Sequence, residues 1–136
     1  DRMTRFNISL QEGVDFVLKN FERMWGGELF VPKIPSYNIL DIAKAIAPDC
    51  KYEIVGIRPG EKLHEEMITE SDSMNTLEFD DYFVIVPSIQ IWSKTKFQNE
   101  SNRNIGKPCP EGFSYNSKSN KHFLSVEELR ELIKTL

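Results

Sequence analysis

The densest group of side chains able to do chemistry in this 136-residue chain is Arg58-Pro59-Gly60-Glu61-Lys62-Leu63-His64-Glu65. An Arg fork holds a diphosphate through two parallel N–H bonds, and a carboxylate such as Glu61 accepts hydrogen bonds from sugar or ribose hydroxyls. Proline and glycine sharpen and fix the turn between them, which limits the entropy lost when those side chains engage a ligand. The run follows Tyr52-Glu53-Ile54-Val55-Gly56-Ile57, which alternates like a strand. Its charged groups are therefore expected at a strand end, where α/β proteins place ligand sites. The plainer alternative is a charged surface turn in which Arg58 pairs weakly with Glu61 or Glu65, and spacing alone favours it.

The other candidates are weaker. Thr4-Arg5-Phe6 sets one cation between a hydroxyl and an aromatic ring, and by itself reads as a strand with one exposed Arg. His64 beside Glu65 imitates a general-base pair, but sequence neighbours point different ways and no nucleophile is placed near them, so His64 reads as structural. Glu78, Asp80 and Asp81 read as a solvated turn before a strand. Only His64 and His122 could offer imidazole to a metal, with no CxxC or HxxxH spacing, so no metal site is expected. Tyr115 and Lys118 are three apart and no Tyr-x-x-x-Lys occurs; the seven glycines form neither G-x-G-x-x-G nor a P-loop. Neither hydride-transfer machinery nor a cofactor fingerprint is legible.

The elements that must position these residues follow from periodicity. Ser9-Leu10-Gln11-Glu12 has the form of a capping box. Leu10, Val14, Val17, Leu18 and Phe21 then recur at helical spacing, with Gly26-Gly27 as a stop. A short strand over Glu28–Val31 breaks at Pro32 and Pro35. Ser36 or Asn38 caps a second helix whose core face is Ile39, Ile42, Ala43 and Ile46, ended by Pro48. Tyr82–Val86 reads as a buried strand stopped by Pro87. Residues 88–122 are polar and loop-rich, with few apolar anchors. Residues 123–136 close the chain as a helix, capped by Ser125 with Glu128 and carrying Val126, Leu129, Leu132, Ile133 and Leu136 on one stripe.

These elements give one domain over 1–136, of class α/β, or α+β when it stands alone, with residues 1–87 as its α/β part. Apolar residues make up 40% and charged residues 28%, ordinary for a globular protein. A formal charge of −4 with dispersed cations argues against nucleic acid. No run of 18 apolar residues and no signal-peptide pattern occurs, and two cysteines fit a reduced, cytoplasmic setting while still permitting a single bridge. The opening Asp1-Arg2-Met3 suggests an excised piece unless Met3 is an initiator.

Taken together, Met3–Phe6, Trp25–Ser36, Val55–Glu65, and the tail Phe113–Ser117 leading to Leu124–Leu129 resemble the C-terminal portion of the inverting UDP-N-acetylglucosamine 4,6-dehydratases. These are extended short-chain dehydrogenases, and the likeness is weakest over 88–112. The resemblance implies a truncated substrate-binding domain. It further implies an N-terminal Rossmann domain of the same protein that holds NADP and the catalytic Asp, Lys and Tyr, leaving this chain with no catalytic, cofactor or metal residue and no activity alone. The implied reaction oxidises the sugar at C4, eliminates water across C5 and C6, and returns hydride to C6 with inversion at C5. Its 4-keto-6-deoxy product serves pseudaminic acid for flagellin, or capsule and lipopolysaccharide. Carried onto this sequence, the substrate contacts fall on Arg5, Arg58 and Glu61, the two arginines at the UDP phosphates or nearby. Asn7 departs from the aromatic residue common there, and Tyr37-Asn38 replace Met-Lys. A homo-oligomer is implied, without membrane or nucleic acid. The rival readings are a capsule-type sugar-nucleotide epimerase and a non-catalytic oligomerisation module.

Overall fold

The structure is a computed structural model that describes residues 2–89, 91–100 and 105–135. In chain order its elements are β1 (Thr4–Phe6), α1 (Leu10–Phe21), β2 (Leu29–Pro32), β3 (Ser36–Asn38), α2 (Ile39–Ile46), β4 (Glu66–Ile68), a 3-10 turn (Glu70–Asn75), β5 (Thr76–Glu78), β6 (Tyr82–Ile85), α3 (Lys94–Glu100), β7 (Lys107–Pro108), β8 (Tyr115–Asn116) and α4 (Val126–Lys134). Helix and sheet are mixed, as the class expected from the sequence requires. Among the described residues no helix is long and apolar enough to cross a membrane.

The chain divides into two compact units. One comprises Asp1–Asn7, Ile34–Glu66 and Asn116–Leu136. Here β1 and β3 pair antiparallel, with Arg5 opposite Tyr37 and Phe6 opposite Ser36. Helices α2 and α4 bury Ala45, Leu124 and Leu129 between them, with Tyr37, Ile42, Val126 and Ile133 packed around. Ser125 caps α4 as its sequence predicts: the hydroxyl accepts from the Glu128 N–H at 3.2 Å, and the Glu128 carboxylate accepts from the Ser125 N–H at 2.8 Å. Of the predicted apolar stripe, Leu132 is half-exposed at 41%, and Leu136 lies outside the described residues. Ile46, expected on the core face of α2, is 64% exposed, because that helix turns Ala45 and Ile42 toward α4 instead.

The other unit comprises Ile8–Lys33 and Met67–Tyr115. Its four-stranded antiparallel sheet runs β2-β6-β5-β7, with Val31 opposite Phe83 and Leu77 opposite both Val84 and Pro108. Pro108, which has no N–H to donate, sits where a sheet tolerates it, on the edge strand. Leu77, Phe79, Tyr82, Val84, Val86 and Phe97 form the core, with Phe16, Phe30 and Trp92 packed against it. Gly106 is required by close approach: a Cβ there would stand 2.5 Å from the Phe79 ring. The loop-rich stretch expected over 88–122 thus holds a helix and two short strands, while its Gln90 and residues 101–104 lie outside the described residues.

One element forms as expected and one does not. Helix α1 forms and is capped by Ser9 and Glu12 as predicted, but its apolar stripe does not face this unit's core. Leu10 is 87% and Phe21 66% exposed, with Val14, Val17 and Leu18 also exposed, and the helix instead turns Phe16 and Asn20 inward. Likewise Tyr52–Ile57 forms no strand, and every residue of it is exposed. Alternation makes a segment suited to a sheet, but a strand exists only where a neighbour completes its ladder, and among the described residues none does.

Cys109 is buried and Cys50 exposed, both as free thiols. Burial, reinforced by the nearby Glu78 charge, pushes the Cys109 thiol up to about 11. Because the thiolate is the nucleophile, iodoacetamide on the folded chain at neutral pH should alkylate Cys50 at least roughly tenfold faster than Cys109. Peptide mapping over time checks this, and equal rates would refute it.

Candidate functional site

Arg58, Pro59, Gly60 and Glu61 form one tight turn. The Glu61 N–H donates to the Arg58 carbonyl at 3.0 Å, and Gly60 at the third position has φ of +82°. That left-handed value belongs to a type II turn, with proline at the second position and a residue free of Cβ strain at the third. The Glu61 carboxylate folds back over the turn, and its Oε2 accepts the Arg58 N–H at 3.1 Å. The two predicted residues therefore meet through backbone and carboxylate, not through an ion pair of side chains. Among the described residues the Arg58 guanidinium has no hydrogen-bond or ion-pair partner, and the whole run from Lys51 to Lys62 is exposed. A cation so placed meets a phosphate without breaking any contact first.

Arg5 is held differently. On β1, its side chain is only 20% exposed. Its Nη1 donates to the carbonyls of Thr4 at 2.8 Å and Leu63 at 3.2 Å, its Nη2 lies 3.6 Å from the Met3 sulfur, and its Nε faces the Glu65 carboxylate at 3.7 Å. The family resemblance assigns Arg5 and Arg58 to one substrate; in the structure Arg5 is tied to the end of the loop, Leu63 and Glu65.

That loop end is fastened to β1 by a network that reading along the sequence passed over. The Thr4 N–H donates to the Leu63 carbonyl at 3.0 Å, and the Phe6 N–H to Glu65 Oε2 at 2.7 Å. The Glu65 N–H donates to Ser117 Oγ at 2.9 Å, and the Ser117 N–H to the Glu65 carbonyl at 2.8 Å. Thr4 Oγ1 stands 2.7 Å from Ser117 Oγ and 2.8 Å from His64 Nδ1. Thr4 and Ser117 are buried, and His64 is half-buried. Burial, then the positive charges of Lys118, Arg2 and Arg5, hold the His64 imidazole below its ordinary pKa. His64 is thus tied by its Nδ1 to β1, the kind of contact a structural histidine makes. Its partners, Thr4 and Ser117, carry no periodicity or motif chemistry by which to be found; the available signal was that both lie inside the stretches that bear the family resemblance.

The residues present do not fit a dinucleotide cofactor. A pyrophosphate needs free amides at a helix start reached through a glycine-rich turn. At α1 and α4 the capping box occupies one amide of the helix start and the N-cap amide, and among the described residues no glycine-rich turn leads from a strand into a helix.

The polysaccharide biosynthesis protein family matches residues 1–87. The chain belongs to that family. It is 52% identical, over 97% of its length, to the C-terminal region of an inverting UDP-N-acetylglucosamine 4,6-dehydratase of Campylobacter jejuni, of which it spans 40%. To a UDP-glucose 4-epimerase of Rickettsia massiliae it is 33% identical over 98% of its length, spanning 39% of that protein. The X-ray structure of Pen from Bacillus thuringiensis matches 98% of this chain with a TM-score of 0.75 at 26% identity, and 38% of that chain is covered. The chain therefore spans about 40% of the length of the curated relatives it matches.

Proposed function

We propose that this member of the polysaccharide biosynthesis protein family is the substrate-binding part of a UDP-N-acetylglucosamine 4,6-dehydratase that inverts C5. One observation carries the reading. The Arg58 guanidinium is exposed and, among the described residues, unpartnered on a turn stiffened by Pro59 and Gly60, in a chain 52% identical to a relative named for that reaction. Arg58 takes the UDP phosphates, and Glu61 takes hydroxyls through the oxygen its own turn leaves over. Arg5, partly neutralised by Glu65, adds positive potential from β1.

The catalytic Asp, Lys and Tyr, and NADP, belong to an N-terminal Rossmann domain of the same protein. Two features support such a companion: the wet apolar stripe of α1 and the exposed Tyr52–Ile57, which pairs with no strand among the described residues. The reading extends to a homo-oligomeric cytoplasmic enzyme whose UDP-4-keto-6-deoxy sugar feeds pseudaminic acid on flagellin, capsule or lipopolysaccharide.

The test supplies UDP-N-acetylglucosamine and NADP to this chain and to the enzyme carrying both parts. The complete enzyme should release a UDP-sugar lacking the 6-hydroxyl, and the chain alone should release none. A product that keeps its 6-hydroxyl would assign the epimerase reading, for which the 33% identity to a UDP-glucose 4-epimerase is the weaker support. Turnover by the chain alone would overturn the assignment of the catalytic groups to the other domain.

A further inference from the structure

Successive residues of β1 turn their backbone groups to opposite edges. On one edge the odd-numbered residues serve β3: the Asn7 N–H donates to the Pro35 carbonyl at 2.8 Å, and the Met3 carbonyl accepts the Ile39 N–H at 3.1 Å. Thr4 and Phe6 therefore direct their N–H groups to the other edge, where the end of the Arg58 loop lies alongside. The first of these bonds joins backbone to backbone, from Thr4 to the Leu63 carbonyl at 3.0 Å. A parallel ladder would next bring the Phe6 N–H to the carbonyl two residues on, that of Glu65. That carbonyl is turned toward Ser117, whose N–H it accepts at 2.8 Å. The Glu65 carboxylate takes its place: Oε2 accepts the Phe6 N–H at 2.7 Å, while Oε1 stands 3.7 Å from Arg5 Nε. Arg5 reciprocates from the strand, its Nη1 donating to the Leu63 carbonyl at 3.2 Å.

We infer that Glu65 is a positioning residue, whose carboxylate stands in for a strand carbonyl on the edge of β1 and so fixes the end of the loop that presents Arg58 and Glu61. The turn has no nearer hold. Among the described residues Lys51–Lys62 makes no hydrogen bond or ion pair outside itself; its bonds are those that close the Arg58–Glu61 turn. Upstream, the next bonded residue is Cys50, whose N–H donates to the Ala47 carbonyl at 3.1 Å, eight residues before Arg58. Downstream only Lys62 separates Glu61 from Leu63. A guanidinium on so long an exposed span loses conformational freedom when it meets phosphate, and a clamp just past the turn lowers that cost beforehand. Glu65 thus raises affinity without touching the ligand. This last consequence rests on the function proposed above; the anchoring of the loop does not.

Two substitutions separate reach from charge. Glu65→Asp keeps the charge facing Arg5 but withdraws the acceptor from the Phe6 N–H by one methylene, whereas Glu65→Gln keeps an acceptor at that reach and drops the charge. In the nucleotide-free enzyme carrying both parts, Glu65→Asp should speed hydrogen exchange of the Phe6 amide roughly tenfold, and Glu65→Gln should match the parent. In calorimetric titration with UDP, Glu65→Asp should weaken binding roughly fivefold, with Glu65→Gln again near the parent. In an Arg58→Ala background the Asp substitution should cost less than about twofold, because the guanidinium it positions is gone. Equal losses in both backgrounds would show that Glu65 acts independently of Arg58 and would overturn the positioning role. Exchange unchanged in Glu65→Asp, or Glu65→Gln as damaging as Glu65→Asp, would overturn the anchor. A parent enzyme that does not bind UDP would sink the UDP-sugar reading, and exchange at Phe6 would then decide the anchor by itself. Should Glu65→Asp not fold, parent-like exchange and affinity in Glu65→Gln, or their loss, still decide between reach and charge.

Discussion

Arg58→Ala is expected to weaken UDP binding roughly 30- to 700-fold while leaving the urea unfolding midpoint unchanged. The two halves of that expectation share a cause. Because the guanidinium has no partner within the described residues, removing it strands no buried group and opens no cavity, so stability should move by less than about 0.5 kcal/mol. The same freedom makes it available to phosphate. Truncating one member of a charge-assisted, bidentate pair costs about 2–4 kcal/mol, which is the fold-range stated. Arg58→Lys should recover only part of the loss, since an ammonium supplies charge without the planar fork. The measurement is calorimetric titration of the complete enzyme with UDP, beside urea melts of each variant. Affinity that survives Arg58→Ala would remove the turn from the site. An equal fall in stability would instead mark Arg58 as a structural residue.

The turn itself was legible because turn chemistry is local. Pro59 and Gly60 sit in the two positions whose backbone angles they suit, and no tertiary information is needed to see it. Capping boxes at Ser9 and Ser125 were legible for the same reason, each being a contact between residues three apart. What the sequence did not show is what each element meets. The stripe of α1 has helical periodicity, but period alone says only that one face is apolar, not that a core within this chain covers it. Tyr52–Ile57 has the alternation of a strand, yet pairing is a property of two segments, and the second cannot be read from the first. Arg5 is the sharpest case. A cation in Thr-Arg-Phe looks free until the fold brings Leu63 and Glu65 beside it, 58 and 60 residues away. The Thr4, His64 and Ser117 contacts likewise close over 60 and 113 residues. Three of the stretches that carry the family likeness thus contribute to the network that holds the loop, through Thr4, through His64 and Glu65, and through Ser117. Their resemblance was visible in sequence, while the reason those stretches belong together was not.

Phe97 shows the limit from the core side and sets the last expectation. It lies in a stretch whose polar composition reads as loop, and α3 is only seven residues long with Phe97 as its one apolar residue, so no period could form. Yet Phe97 is fully buried. Its ring stacks on Trp92 at 4.6 Å between centroids and meets Trp25 edge-on at 5.2 Å and Phe79 at 6.4 Å. One side chain thus joins a short helix to the sheet core through three aromatic neighbours. Phe97→Ala removes the contacts of the whole ring and leaves a cavity that rigid aromatic walls cannot collapse to fill, so it should destabilise this unit by about 3–5 kcal/mol. The readout is built in. Both tryptophans of the chain, Trp25 and Trp92, touch Phe97, so their fluorescence reports unfolding of this unit directly. The tryptophan transition in urea should move to much lower denaturant, or be absent if the unit does not fold. Phe97→Leu, which refills part of the volume with an apolar side chain, should restore much of the difference. A midpoint that Phe97→Ala leaves in place would mean that the polar stretch contributes no core, as its composition alone suggests.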